Sequence, residues 1–227
     1  RGLAMEYHRE MIDVRIAPDA IAPWGPTLGA ALAALLTRSA AMGVLSGQPV
    51  TRLDAALVKR LAAALQDHGI GSNAGVVLAP LATEPARPID EATQRQLAAG
   101  LSRLNEALEA SATPGTEWPA MRGVFGDEML IDLLGVGASS LRRYAGGERP
   151  TPDDVAARLH WLAMVVADLA GAYNEFGIRR WFDRPRSPLG GKSPRHTLGR
   201  DWSPDDDAAA RVRALASVLS GAQPLAA

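Results

Sequence analysis

Leucines recur at intervals of three and four along most of this chain, and that interval most tightly limits what it can fold into. Leu97, Leu101, Leu104 and Leu108 follow it across residues 90–110, and Leu53, Leu57, Leu61 and Leu65 across 52–67. Val155, Leu159, Leu162, Val166 and Leu169 repeat it, as do Val212, Leu215 and Leu219 near the C-terminus. A helix turns once every 3.6 residues, so this spacing gathers the side chains on one face, whereas a strand would need alternation every second residue. The pattern predicts an all-α protein. One stretch stands apart: Val76-Val77-Leu78, inside the Gly-rich segment from Gly69 to Pro80, is a candidate short strand.

The chain has 227 residues, enough for one large core or two modest ones. Aromatics make up only 5% of it, so Ala and Leu must supply most of the packing. A formal net charge of −1 gives the whole molecule no general attraction for polyanions, and any nucleic-acid role must rest on a local patch. There are no cysteines, which excludes disulfides, thiolate metal sites and cysteine nucleophiles and fits a reducing, cytoplasmic setting. The first residues lack an apolar core and soon carry Glu6, Arg9, Glu10 and Asp13, unlike a secretory signal, and Met5 reads as a natural start. Between Ala20 and Thr51 the only charge is Arg38, but Pro23, Gly25, Pro26 and Gly29 interrupt the run. A buried helix across 27–46 is expected there rather than a membrane span.

Two composition shifts, Ala82–Pro88 and Ser111–Pro119, divide the chain into an N-terminal helical domain, 1–115, and a C-terminal helical domain, 116–227. The first shows no acid–base pair and no ligand cluster, and nothing in it reveals a role. The second carries clear punctuation. A short helix from Asp127 to Leu134 should end at Gly135, and Val136 to Ser139 should turn. A second helix with Leu141, Arg142, Arg143 and Tyr144 should then start on Ser139 or Ser140 and stop at Gly146-Gly147. Thr151-Pro152-Asp153-Asp154 and Ser203-Pro204-Asp205-Asp206 both read as helix starts, with a hydroxyl cap, a first-turn proline and acids at the positive end of the dipole.

Three features bear on chemistry. The helix–turn–helix at about 127–146 is an arrangement that can lay a recognition helix in a major groove. Ser139, Ser140, Arg142, Arg143 and Tyr144 are its candidate DNA contacts, against the plainer reading of a helical hairpin with solvated arginines. The segment from Arg179 to Arg200 holds seven basic residues against one acidic residue, Asp183, which suits an acidic or phosphate-bearing partner. Within it, Ser187-Pro188-Leu189-Gly190-Gly191-Lys192-Ser193-Pro194 brackets a Gly-Gly-Lys turn with prolines, which stiffens the flanks while the glycines allow positive φ. Gly191-Lys192-Ser193 mimics the end of a phosphate-binding P-loop, but Arg186 stands where the first glycine should be and no apolar strand precedes it. His8, His68, His160 and His196 show no metal-ligand spacing, and His160, beside Trp161 in an apolar helix, reads as a packed residue. The residues imply no enzyme, no metal and no cofactor.

From about Phe125 to Gly221 these elements together resemble antitoxins of the Xre/MbcA/ParS type, the partners of RES-domain toxins. Leu134-Gly135-Val136 with Ser140-Leu141 and Arg143 resembles that family's helix–turn–helix, and Thr151-Pro152-Asp153-Asp154 the start of its long helix. Phe176-Gly177 through Trp181-Phe182 and Pro188 through Pro194 resemble its later segment and its signature Gly-Gly-basic-hydroxyl-Pro loop. This chain departs in having Pro185-Arg186 before the loop, a more basic Arg195-His196-Thr197-Leu198-Gly199 after it, and a long N-terminal extension. The resemblance implies binding to a RES toxin, an NAD-degrading enzyme, through a region of about 151–221. Its contacts would be Trp181, Phe182, Pro188, Leu189, Gly190, Gly191, Lys192, Ser193 and Pro194, with core packing the competing reading for Trp181. It also implies operator DNA as a second partner. A homodimer, or a higher complex with the toxin, is expected, since helix–turn–helix proteins usually read two half-sites. The alternative is a stand-alone regulator whose N-terminal half senses a ligand or dimerises.

Overall fold

The computed structural model describes residues 25–45, 54–83 and 90–220. Met5, His8, Leu53 and most of the Ala82–Pro88 joint lie outside them. The described residues form ten α-helices and no strand, as the leucine spacing predicts. They are α1 (Pro26–Ala41), α2 (Ala55–Asp67), α3 (Ala74–Leu78), α4 (Glu91–Glu109), α5 (Pro114–Leu134), α6 (Ala138–Ala145), α7 (Asp153–Ala170), α8 (Glu175–Asp183), α9 (Pro194–Leu198) and α10 (Asp207–Ser217). Val76-Val77-Leu78 belongs to α3 and is not a strand. Ala74 and Leu78, four apart, are buried, Val77 packs partly against the core and Val76 is exposed, so the helical period wins over β propensity.

α7 is the centre of the molecule. Every residue from His160 to Leu169 is buried, so it is covered on all sides, as a helix apolar all round must be. α1, α5, α8 and α10 pack on it, and α4 closes against α1. Buried side chains run from Leu32 and Leu35 of α1 through Leu101 and Leu104 of α4, Trp118 and Phe125 of α5 and Leu162 and Val166 of α7 to Phe182 of α8 in one continuous cluster. No single helix among the described residues is long and apolar enough to cross a membrane.

Helix starts differ from the expected ones by small shifts with definite causes. α7 begins at Asp153 with no side-chain cap, because the Thr151 hydroxyl is taken by the Trp118 indole N–H, 2.9 Å away. α10 begins at Asp207, since the Asp206 carboxylate turns back to accept from the Ser203 N–H at 2.7 Å. α6 is preceded by Gly137 with no side-chain cap, which places Ser139 and Ser140 in its first turn and not at its cap. α5 is broken at Gly126 (φ 73°, ψ 166°), a conformation that only glycine adopts easily, so its second segment, 127–134, is the short helix expected there. It ends on Gly135 in the left-handed region, φ 67°.

Candidate functional site

The loop after α8 is built by its own backbone. The Arg186 N–H donates to the Lys192 carbonyl at 2.9 Å, and the Leu189 and Gly191 N–H groups return to the Arg186 carbonyl at 2.9 and 3.0 Å. Reversing the chain within so few residues requires left-handed backbone at both Gly190 (φ 66°) and Gly191 (φ 78°). Leu189 on one side and Pro194 on the other are buried and fasten the loop to the body, while Ser187, Pro188, Gly190, Gly191 and Lys192 face solvent. Ser193 is half-buried. Its hydroxyl accepts from the His196 N–H at 3.2 Å and caps α9, where Pro194 is the first residue. Lys192 makes no ion pair or side-chain hydrogen bond among the described residues. The loop is thus rigid at its base and presents one cation at its tip.

Trp181 and Phe182, expected as partner contacts, are core residues instead. Phe182 is 0% exposed and Trp181 2%, with Phe125 and Phe182 meeting edge to face at 5.2 Å. Their part is to support the loop from beneath: the Arg186 guanidinium lies 5.1 Å from the centre of the Trp181 ring. α8 delivers them inward because Ile178, Trp181 and Phe182 share its buried side, and Asn174 starts it by accepting from the Gly177 N–H at 2.9 Å.

The basic run is largely spent within the fold. Arg179 donates to the Val124 carbonyl at 2.9 Å, and Arg180 lies over the exposed Phe176 ring at 5.5 Å. Arg195 joins α9 to α5 and α8, bridging Asp132 at 2.5 Å and Asp183 at 3.2 Å. Arg180, Arg184, Lys192 and Arg200 remain as exposed cations with no acidic partner among the described residues. The run therefore leaves a few exposed cations without an acidic partner among the described residues, and not seven.

The second candidate surface lies across the Gly135–Gly137 connection, on α6. Ser139, Arg142 and Arg143 are exposed, Ser140 is half-buried and Leu141 pins the helix to the body. Tyr144 is committed to packing, its ring stacked on Trp118 at 6.3 Å with Arg149 above it at 5.9 Å. An acid softens the basic face: the Arg122 hydrogen bond holds the Asp127 carboxyl below the usual range, and the Arg142 charge adds a weaker pull in the same direction. Both surfaces are braced by the end of α5. The Leu133 carbonyl accepts from the Trp202 indole at 2.7 Å and the Leu134 carbonyl from Arg158 at 2.9 Å, while Asp132 holds Arg195.

Sequence spacing missed a polar cluster between the N-terminal helices and α7. The Glu109 carboxylate accepts from Arg38 of α1 at 2.9 Å and from Arg213 of α10 at 2.7 Å, and Arg38 also reaches Asn105 at 3.1 Å. Asp168 of α7 lies 3.9 Å from Arg213; burial raises its pKa, against the pull of Arg213 and then Arg38. His160 is buried as expected, but it touches Glu117 at 2.6 Å and the Glu109 carbonyl at 3.0 Å. These partners lie 43 and 51 residues away, beyond any local pattern. No group of three or more His, Asp or Glu among the described residues is arranged to hold a metal ion.

Set beside known proteins, the chain matches no family model, no curated protein and no solved structure.

Proposed function

We propose that this chain is an antitoxin-like protein that neutralises a RES-type, NAD-degrading enzyme by inserting its Gly190-Gly191-Lys192 turn beside that enzyme's cleft. One observation carries the reading: a doubly left-handed turn, fastened by Leu189 and Pro194, holds out in solvent a lysine with no partner among the described residues. A rigid tip of this kind loses little conformational entropy on docking, and its single cation can pair with a carboxylate at the rim of the partner's cleft. The resemblance across residues 125–221 supplies the identity of the partner, and the turn supplies a physical means of binding it.

The test is the NAD level of cells expressing a RES enzyme together with this chain. The unaltered chain is expected to restore NAD, and a variant carrying Lys192→Glu and Gly191→Trp to leave it depleted while still folding. Full protection by that variant would overturn the loop assignment.

A second reading has its own support, in the exposed Ser139, Arg142 and Arg143 on one short helix. It is DNA binding by α6, either as repression of the same operon or as the sole activity. Specific binding in a gel-shift titration should weaken with rising salt and disappear in Arg142→Ala/Arg143→Ala. Absence of binding at low salt would eliminate this reading and leave the protein partner.

A further inference from the structure

His160 sits where five helices meet, and its hydrogen bonds count its protons. Nε2 faces the Glu109 backbone carbonyl at 3.0 Å. A carbonyl can only accept, so Nε2 carries a hydrogen. Nδ1 meets Glu117 Oε1 at 2.6 Å, a contact that needs one further proton, whichever atom holds it. With that proton the pair is neutral overall; without it, a carboxylate would face an imidazole lone pair. The site cannot tolerate the second arrangement, because Glu117 is 0% exposed and its Oε2 has no hydrogen-bond partner among the described residues.

The pair is also placed to matter mechanically. Glu109 is the last residue of α4, Glu117 lies in the first turn of α5, and His160 is in the middle of α7. The Glu109 side chain ties the same point to α1 through Arg38 and to α10 through Arg213. Near this point the backbones come close: a β-carbon on Gly43, just past α1, would collide with the Thr116 carbonyl oxygen at the start of α5.

We propose that His160 and Glu117 form a one-proton clasp that fastens the end of α4, and with it the N-terminal helices, to α5 and α7, and that losing this proton loosens the joint. The inference is independent of either reading of the partner surfaces.

The groups acting on the ring come from every side of the junction. Burial alone lowers the imidazole pKa; the hydrogen bond and charge of Glu117, with the Glu109 carbonyl, outweigh it, while Arg213 opposes them. The net direction is upward. Asp168 on α7 and Arg38 on α1 complete the cluster through Arg213 and Glu109. α8, which also packs on α7, commits Arg179 to the Val124 carbonyl and carries Arg180 and Asp183 at the surface. A raised folded value means that the clasp contributes fully below the ordinary imidazole value of 6.5 and is lost as pH rises through the folded one.

Two measurements on the full chain test this between pH 6 and 10, nitrogen NMR of the imidazole and hydrogen exchange at Ala110 and Ser111. Those two amides close the end of α4 by bonding to the Glu106 and Leu108 carbonyls at 3.0 and 3.1 Å. In the unaltered protein Nε2 should remain protonated throughout, and the protection factors should fall by at most about tenfold per pH unit as the shared proton leaves. Glu117→Gln should hold the same geometry without the proton, its amide donating to Nδ1 of a neutral ring, and its protection should be flat with pH. An unprotonated Nε2, protection in the unaltered protein that ignores pH, or a Glu117→Gln variant with the original slope would each overturn the clasp. Should that variant fail to fold, the two measurements on the unaltered protein decide.

Discussion

Gly135 and Gly190 hold nearly the same left-handed backbone, φ 67°, ψ 22° and φ 66°, ψ 31°, in opposite surroundings. Alanine at each position therefore separates backbone strain from tertiary crowding. A non-glycine residue in this region costs about 1–2 kcal/mol, and both variants bear that cost. At Gly190 a new β-carbon would meet nothing within 4 Å. At Gly135 it would lie well inside 3.0 Å of the Arg200 carbonyl oxygen, with Arg158 Nη1 next at 3.3 Å. Relief means shifting backbone two residues before Trp202, whose indole holds the Leu133 carbonyl at 2.7 Å, and disturbing the 2.9 Å bond from Arg158 to the Leu134 carbonyl. Crowding of this kind typically costs about 1–3 kcal/mol. Gly135→Ala should accordingly lose roughly 1–3 kcal/mol more than Gly190→Ala, or about 2–12 °C in Tm for a chain of this size. Urea unfolding monitored by tryptophan fluorescence measures both, with an unchanged slope as the check that the transition is of the same kind. Losses equal to within about 0.5 kcal/mol would refute the idea that the α5–α6 connection is pressed against the segment before Trp202.

Two further outcomes follow from the buried polar groups. Trp202→Phe keeps the ring contact with Trp161 but leaves the Leu133 carbonyl without its donor, and should cost about 1–3 kcal/mol in urea unfolding; no loss would mean that the bond contributes nothing. Burial raises the Asp168 pKa, so the folded chain binds that proton more tightly than the unfolded one, and stability falls as pH rises from 3.8 through the folded value. Asp168→Asn removes the titration, and in melting curves from pH 3 to 8 the variant should match the unaltered chain at the acid end and equal or exceed it at neutral pH; a less stable variant at neutral pH would show that pairing with Arg213 outweighs burial.

The helices were legible because their cause is local. The 3–4 spacing of Leu97, Leu101, Leu104 and Leu108 marks one face of α4, and all four are buried. Glycine stops were legible for the same reason, since Gly135, Gly190 and Gly191 adopt the positive φ that their positions suggested. Errors arose wherever a side chain had two possible uses. The Thr151 hydroxyl suited a helix cap but is taken by Trp118, 33 residues away. Trp181 and Phe182 flank a basic run, as partner contacts would, yet the phase of α8 turns them inward with Ile178.

The amino-acid order alone determined an all-helical chain, the positions of its stops and a stiff Gly-Gly-Lys turn, because backbone periodicity and dihedral freedom are properties of neighbouring residues. Tertiary structure decided which charges stay free and which buried groups share a proton. Arg195 is neutralised by Asp132 and Asp183 while Lys192 has no partner among the described residues, and His160 finds Glu117 and the Glu109 carbonyl. Charges and hydrogen bonds act through space, so the partner of each side chain is set only when helices distant in sequence come together.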